Sequence, residues 1–130
     1  MSRLPPTVAA LLTVAAGLAS RAWLPPWPAK YVGVALYGTL LFTLAWWVRP
    51  DAKEARLALA ATVACWLVEL AQLMPGVAWL ASQHVLLRLA LGATFSEGDL
   101  LTYPVGVAFG AATLWLARRR RTVDPVSARA

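Results

Sequence analysis

From Tyr31 to Val48 the chain runs eighteen residues without a charged side chain. As a helix that stretch is about 27 Å long, close to the roughly 30 Å hydrocarbon thickness of a bilayer. Three other apolar stretches are of similar length. Leu4 to Ser20 lies between Arg3 and Arg21, Leu57 to Met74 stops at Pro75-Gly76, and Leu100 to Ala117 ends on the run Arg118 to Arg121. A chain of 130 residues, 60% hydrophobic, could bury only a modest core in water. Charged residues make up 14%, where a soluble domain has about a quarter, and mean hydropathy is +0.63. Disorder is excluded, and a freely soluble globule does not fit. The expected fold class is all-α: an integral membrane bundle of four transmembrane helices plus a short interfacial or re-entrant helix between the third and fourth. The domain would cover residues 1–117, leaving 118–130 as a basic cytoplasmic tail.

The first segment has a rival reading as a signal peptide, with Arg3 as its basic start and Gly17-x-Ala19 before a cut. Pro5-Pro6 and the thin basic region disfavour it. The stretch Val77 to Leu91 carries Ser82, Gln83, His84 and Arg88, which suits an interface better than a fifth span. With four spans, Arg3, Arg49, Lys53, Arg56, Arg118 to Arg121 and Arg129 share one side, against Arg21, Lys30 and Arg88 on the other. That imbalance makes both termini cytoplasmic. The tryptophans agree with an aromatic belt, Trp46, Trp47 and Trp115 falling at inner ends and Trp23, Trp27 and Trp79 at outer ends. Trp66, mid-span, reads as packing.

The net charge of +6 could suggest nucleic acid, but its distribution argues for membrane instead. Arg118, Arg119, Arg120 and Arg121 form a flank suited to anionic lipid headgroups. With one cysteine, Cys65, and one histidine, His84, neither an intrachain disulfide nor a conventional zinc site is available, and no cofactor signature is present.

The polar residues inside the apolar segments are the candidates for function. Thr62, Cys65, Glu69 and Gln72 step by three, four and three along one helix face. An ionised glutamate at mid-bilayer costs about 2.5–3.5 kcal/mol on insertion scales, so Glu69 should face the bundle, protonated or paired. Asp99, Tyr103, Gly106 and Gly110 step by four, three and four along the last helix. Gly106-x-x-x-Gly110 admits close approach of a neighbouring helix, and Pro104 either kinks the first turns or marks where the regular helix begins. Glu69, Gln72, Asp99 and Tyr103 are expected to meet beneath the outer surface, with Arg21 or Arg88 as counter-charge, as a ligand-binding pocket. Simpler readings exist for each: interhelical glue for Glu69 and Gln72, a capping box Ser96-x-x-Asp99, an interface anchor for Arg21, and packing for Tyr37 and Cys65. No nucleophile elbow surrounds Ser82 or Ser96, so an enzyme is not expected.

The order of these fragments resembles a known family. Ser20-Arg21 closes the first helix, Lys30-Tyr31-x-Gly33 opens the second, and Glu69-x-x-Gln72 sits in the third. Leu91-Gly92-x-x-Phe95-x-x-x-Asp99-Leu100, Tyr103 and Gly106 complete the series. Together they resemble the small bacterial membrane proteins of the domain-of-unknown-function 2809 family, distantly similar to VanZ, which is associated with teicoplanin resistance. The resemblance implies that Arg21, Glu69, Gln72, Asp99 and Tyr103 hold the family's characteristic polar positions. Where the family has an acid and then an aromatic after the second-helix glycine, this chain reads Val34 and Tyr37. The resemblance also implies the bacterial inner membrane and an envelope role. The leading expectation is a non-enzymatic protein that binds a lipid or lipid-linked envelope precursor. The alternatives are an oligomeric proton-coupled transporter component, or an assembly subunit for a larger membrane partner. Nucleic acid is not an expected partner.

Overall fold

Prolines open the helices. Three of them carry proline at the first or second position, where a backbone N–H has no intrahelical acceptor and its loss is harmless. A computed structural model describes residues 3–86 and 97–123. α1 is Leu4–Trp23, α2 Pro26–Val48, α3 Glu54–Ala71, α4 Pro75–Gln83 and α5 Glu97–Val123. No strand occurs among the described residues. The Pro25-Pro26-Trp27-Pro28 cluster turns the chain between α1 and α2 and starts α2 five residues before the uncharged run. α3 begins at Glu54, an acid in the first turn that complements the positive end of the helix. α5 passes through Pro104 and continues through the arginine run, so Pro104 lies inside the helix and not at its start.

Three helices are long and apolar enough to cross a membrane: Leu4–Trp23, Pro26–Val48 and Gly98–Arg120. α3 differs from these. Its 18 residues include Glu54, Arg56 and Glu69, so the expectation of four spans is met by length and apolarity for three. The nine-residue α4 occupies the start of the stretch expected to be interfacial, and Arg88 and Ser96 lie outside the described residues.

α2 is the central helix, packing against α1, α3 and α5, while α5 also packs on α3. The core has two parts. Phe42, Leu57, Ala61, Val107 and Leu114 form an apolar cluster, and Thr39, Thr43, Glu69, Gln72 and Asp99 are buried polar groups. Outward faces are apolar, with Leu11, Leu59, Leu67, Leu101 and Phe109 all exposed. This inversion of the soluble pattern suits a hydrocarbon surround.

α2 and α5 approach each other closely. A Cβ on Gly106 would run into the Ala35 carbonyl, and one on Gly38 would sit 2.5 Å from the Tyr103 carbonyl oxygen. Thr39 Oγ1 donates across this crossing to the Gly106 carbonyl at 2.7 Å. Gly110 extends the contact one turn, where its missing side chain makes room for the Phe42 ring.

Charged residues lock one end of the bundle. Arg3 donates to the Trp47 carbonyl at 2.9 Å and lies 5.0 Å from the centroid of its ring. Arg118 donates to the Pro50 and Ala52 carbonyls, each at 2.8 Å, and to Glu54 Oε1 at 2.9 Å. The α1 start, the α2–α3 loop and the α5 end therefore lie together.

Candidate functional site

At the end of the bundle away from that lock, α3 and α5 face each other through polar side chains. The buried positions of α3 are Leu57, Ala61, Cys65 and Glu69, a four-residue repeat that begins apolar and ends on a carboxyl. Gln72 follows at the C-cap, its backbone N–H bonded to the Val68 and Glu69 carbonyls. On α5, Asp99 and Tyr103 occupy successive turns of the inward face. Glu69 is 0% exposed, Tyr103 5% and Asp99 7%.

The Tyr103 hydroxyl donates to Glu69 Oε2 at 2.9 Å, a buried bond across the α3–α5 interface. The Tyr37 ring, from α2, tilts against the Tyr103 ring with centroids 5.8 Å apart. Cys65, one turn before Glu69, lies within electrostatic reach of that carboxyl, and Asp99, one turn before Tyr103, lies within reach of the phenol. Two carboxyls, two phenols, a thiol and an amide from three helices thus gather at one end of the bundle. The arrangement can accept and donate hydrogen bonds in surroundings that exclude water.

The sequence-derived residues divide in the structure. Glu69 and Tyr103 meet, and Gln72 and Asp99 are buried at the same end of α3 and α5. Arg21 is exposed on the last turn of α1 and is not among the buried groups. Arg88 lies outside the described residues. Gly106 and Gly110 line the α2–α5 crossing, one and two turns below Tyr103. Of the arginine run, Arg118 holds the α2–α3 loop, Arg119 lies 5.0 Å from the Trp115 ring centroid, and Arg120 is exposed. His84 is exposed, its Nδ1 accepting from the Leu86 N–H at 3.0 Å, and no metal-holding group of three side chains occurs among the described residues.

Three participants have packing as their simplest reading from sequence, although Cys65 shares the polar face of Glu69. Tyr37 and Cys65 border the Glu69 carboxyl, and Trp66 has a specific task. Because Pro104 has no N–H, the Leu100 carbonyl four residues earlier loses its helical donor. The Trp66 indole N–H supplies one at 2.9 Å. A proline in an apolar helix with an indole on the facing helix was the available signal.

Apolar helices of spanning length around a sealed polar cluster define a small helical protein of membrane type. The chain matches the family described as "Protein of unknown function (DUF2809)" over residues 23–107, and it belongs to that family. The matched region contains Tyr37, Glu69, Gln72, Asp99, Tyr103 and Gly106, whereas Arg21, Gly110 and the arginine run fall outside it. No curated protein and no solved structure matches the chain.

Proposed function

We propose that this is a four-span protein of the bacterial inner membrane that recognises the polar head of a membrane-embedded amphiphile, a lipid or lipid-linked envelope precursor. The site is the Glu69, Gln72, Asp99 and Tyr103 cluster, in a role similar to VanZ. The observation that carries the reading is the complete burial of Glu69 against Tyr103 at one end of an otherwise apolar bundle. A hydrocarbon-facing bundle can be closed with small apolar residues, as α2 and α5 are at Gly38 and Gly106. A carboxyl in such a place is expensive, and intramembrane ionisable groups mark sites of function by default.

In this reading α3 is the fourth span, crossing over the stretch from Leu57 to Met74 with Glu69 and Gln72 turned inward. Both termini are cytoplasmic, supported by Arg3, Arg49, Lys53 and Arg118 to Arg120 gathering at one end while Arg21 and Lys30 stand at the other. The polar cluster then lies in the outer-leaflet half of the bundle.

The test is mass spectrometry of lipids that copurify with wild type, Glu69→Gln and Gln72→Ala. The reading predicts one enriched amphiphile, lost in both variants while helicity is retained. An unchanged lipid profile contradicts it. Proton flux in liposomes that Glu69→Gln abolishes would favour the transport alternative instead.

A further inference from the structure

A second feature lies on the opposite half of the molecule. α1 and α5 both pack on α2 but leave a groove between them, an open cavity of about 600 Å³. Its floor includes Phe42 and Trp46 of α2, and its walls run from Leu4 to Thr13 on α1 and from Phe109 to Ala117 on α5.

Three properties specify what fits there. The first is chemistry. Four threonines line the groove, yet each hydroxyl is already bonded to a backbone carbonyl. Thr13 donates to Ala9, Thr43 to Leu40, Thr113 to Phe109, and Thr39 to Gly106. These side chains leave the lining a surface of methyl groups and rings, which suits hydrocarbon. The second is length. Leu4 to Thr13 is ten residues, a rise of about 14 Å along the helix, which is half the roughly 30 Å hydrocarbon layer. That is the depth of one leaflet. A transmembrane helix from another copy would need the whole thickness. The third is charge. The groove reaches the locked end of the bundle, where Arg3 precedes Leu4, Arg49 follows Trp46 by one turn, and Arg120 follows Ala117 by one turn. All three arginines are exposed.

We infer that this groove seats one acyl chain of an anionic phospholipid from the leaflet at the cation-rich end, with Arg3, Arg49 and Arg120 facing its phosphate. This site is separate from the Glu69 cluster and stands whether or not that cluster binds an amphiphile.

The test is native mass spectrometry of delipidated protein offered phosphatidylglycerol or phosphatidylcholine with identical acyl chains. Wild type should retain phosphatidylglycerol at least about tenfold better, since each basic residue near the headgroup adds to the attraction. Arg49→Gln with Arg120→Gln should bring the two lipids level. Ala9→Phe, which fills the groove, should lower phosphatidylglycerol retention about tenfold. Leu12→Trp, at an exposed wall position, should do the same if Ala9→Phe fails to fold. Equal retention of the two lipids by wild type overturns the inference. So does full phosphatidylglycerol binding by a folded groove-filled variant, or a lipid-free dimer that the groove variants dissociate, which would assign the groove to a second copy.

Discussion

The Tyr103 hydroxyl donates a 2.9 Å hydrogen bond to Glu69 Oε2, joining α3 to α5 where both side chains are buried. Tyr103→Phe removes the donor and keeps the ring that packs on Tyr37. Interhelical hydrogen bonds in membranes average about 0.6 kcal/mol and reach about 1.7. Thermal unfolding in mild detergent should show a loss in that range. No change would mean the bond contributes nothing to the fold.

The α2–α5 crossing makes a sharper prediction. A Cβ on Gly106 meets rigid backbone at Ala35, whereas one on Gly17 meets nothing within 4 Å. Gly106→Ala should cost about 1–3 kcal/mol through overpacking. Gly17→Ala should be neutral, or gain up to about 1 kcal/mol from helix propensity. Thermal unfolding of the two variants side by side checks the contrast, and equal effects would contradict the crossing.

The Trp66 indole stands in for the donor that Pro104 lacks. Trp66→Phe should therefore cost about 1 kcal/mol in the native background. In a Pro104→Ala background, where a backbone N–H can serve the Leu100 carbonyl, the cost should shrink. A double-mutant cycle on unfolding free energy measures the coupling, and additive effects would count against this account.

Arg118 fixes the α2–α3 loop, and Glu54 gives that lock a pH dependence. The Glu54 carboxyl is held below its ordinary range by its own backbone N–H and then by the Arg118 hydrogen bond and charge. A carboxyl lowered in the folded state stabilises the fold above its unfolded value, and that contribution is lost as pH falls through the lowered folded value. Stability should decline on acidification through the carboxylate range. Arg118→Ala should lower stability by about 1 kcal/mol at neutral pH and flatten part of that decline. The remainder reflects the backbone N–H of Glu54 and the neighbouring Lys53 charge. Unfolding midpoints from neutral pH to about pH 3 read both effects.

Several of these features are legible from sequence because they depend on period and composition. The uncharged run predicts α2, and the three-and-four steps place Glu69 and Tyr103 on inward faces of α3 and α5, where the structure brings them together. Gly106 is readable as a small residue, but that Ala35 fills the space is not, because helix period gives a face and not its neighbour. The same limit hides the Trp66 bond to Leu100 and the reach of Arg118 to Pro50, each joining residues more than thirty positions apart. Arg21 was grouped with the acids because it shares their end of the bundle. Its side chain lies on the exposed face of α1, and α1 packs chiefly on α2. The apolar groove has no sequence signature, since it exists only because α1 and α5 leave part of α2 uncovered.

The most direct test of the polar cluster is unfolding of lipid-depleted protein in mild detergent, comparing wild type with Glu69→Gln and Asp99→Asn. Each swap removes a carboxyl while nearly preserving shape, and glutamine keeps an oxygen that can accept from Tyr103. A cluster kept for a ligand predicts stability within about 1 kcal/mol of wild type, or above it. A loss of more than about 2 kcal/mol in either variant would make these acids structural partners and contradict the account.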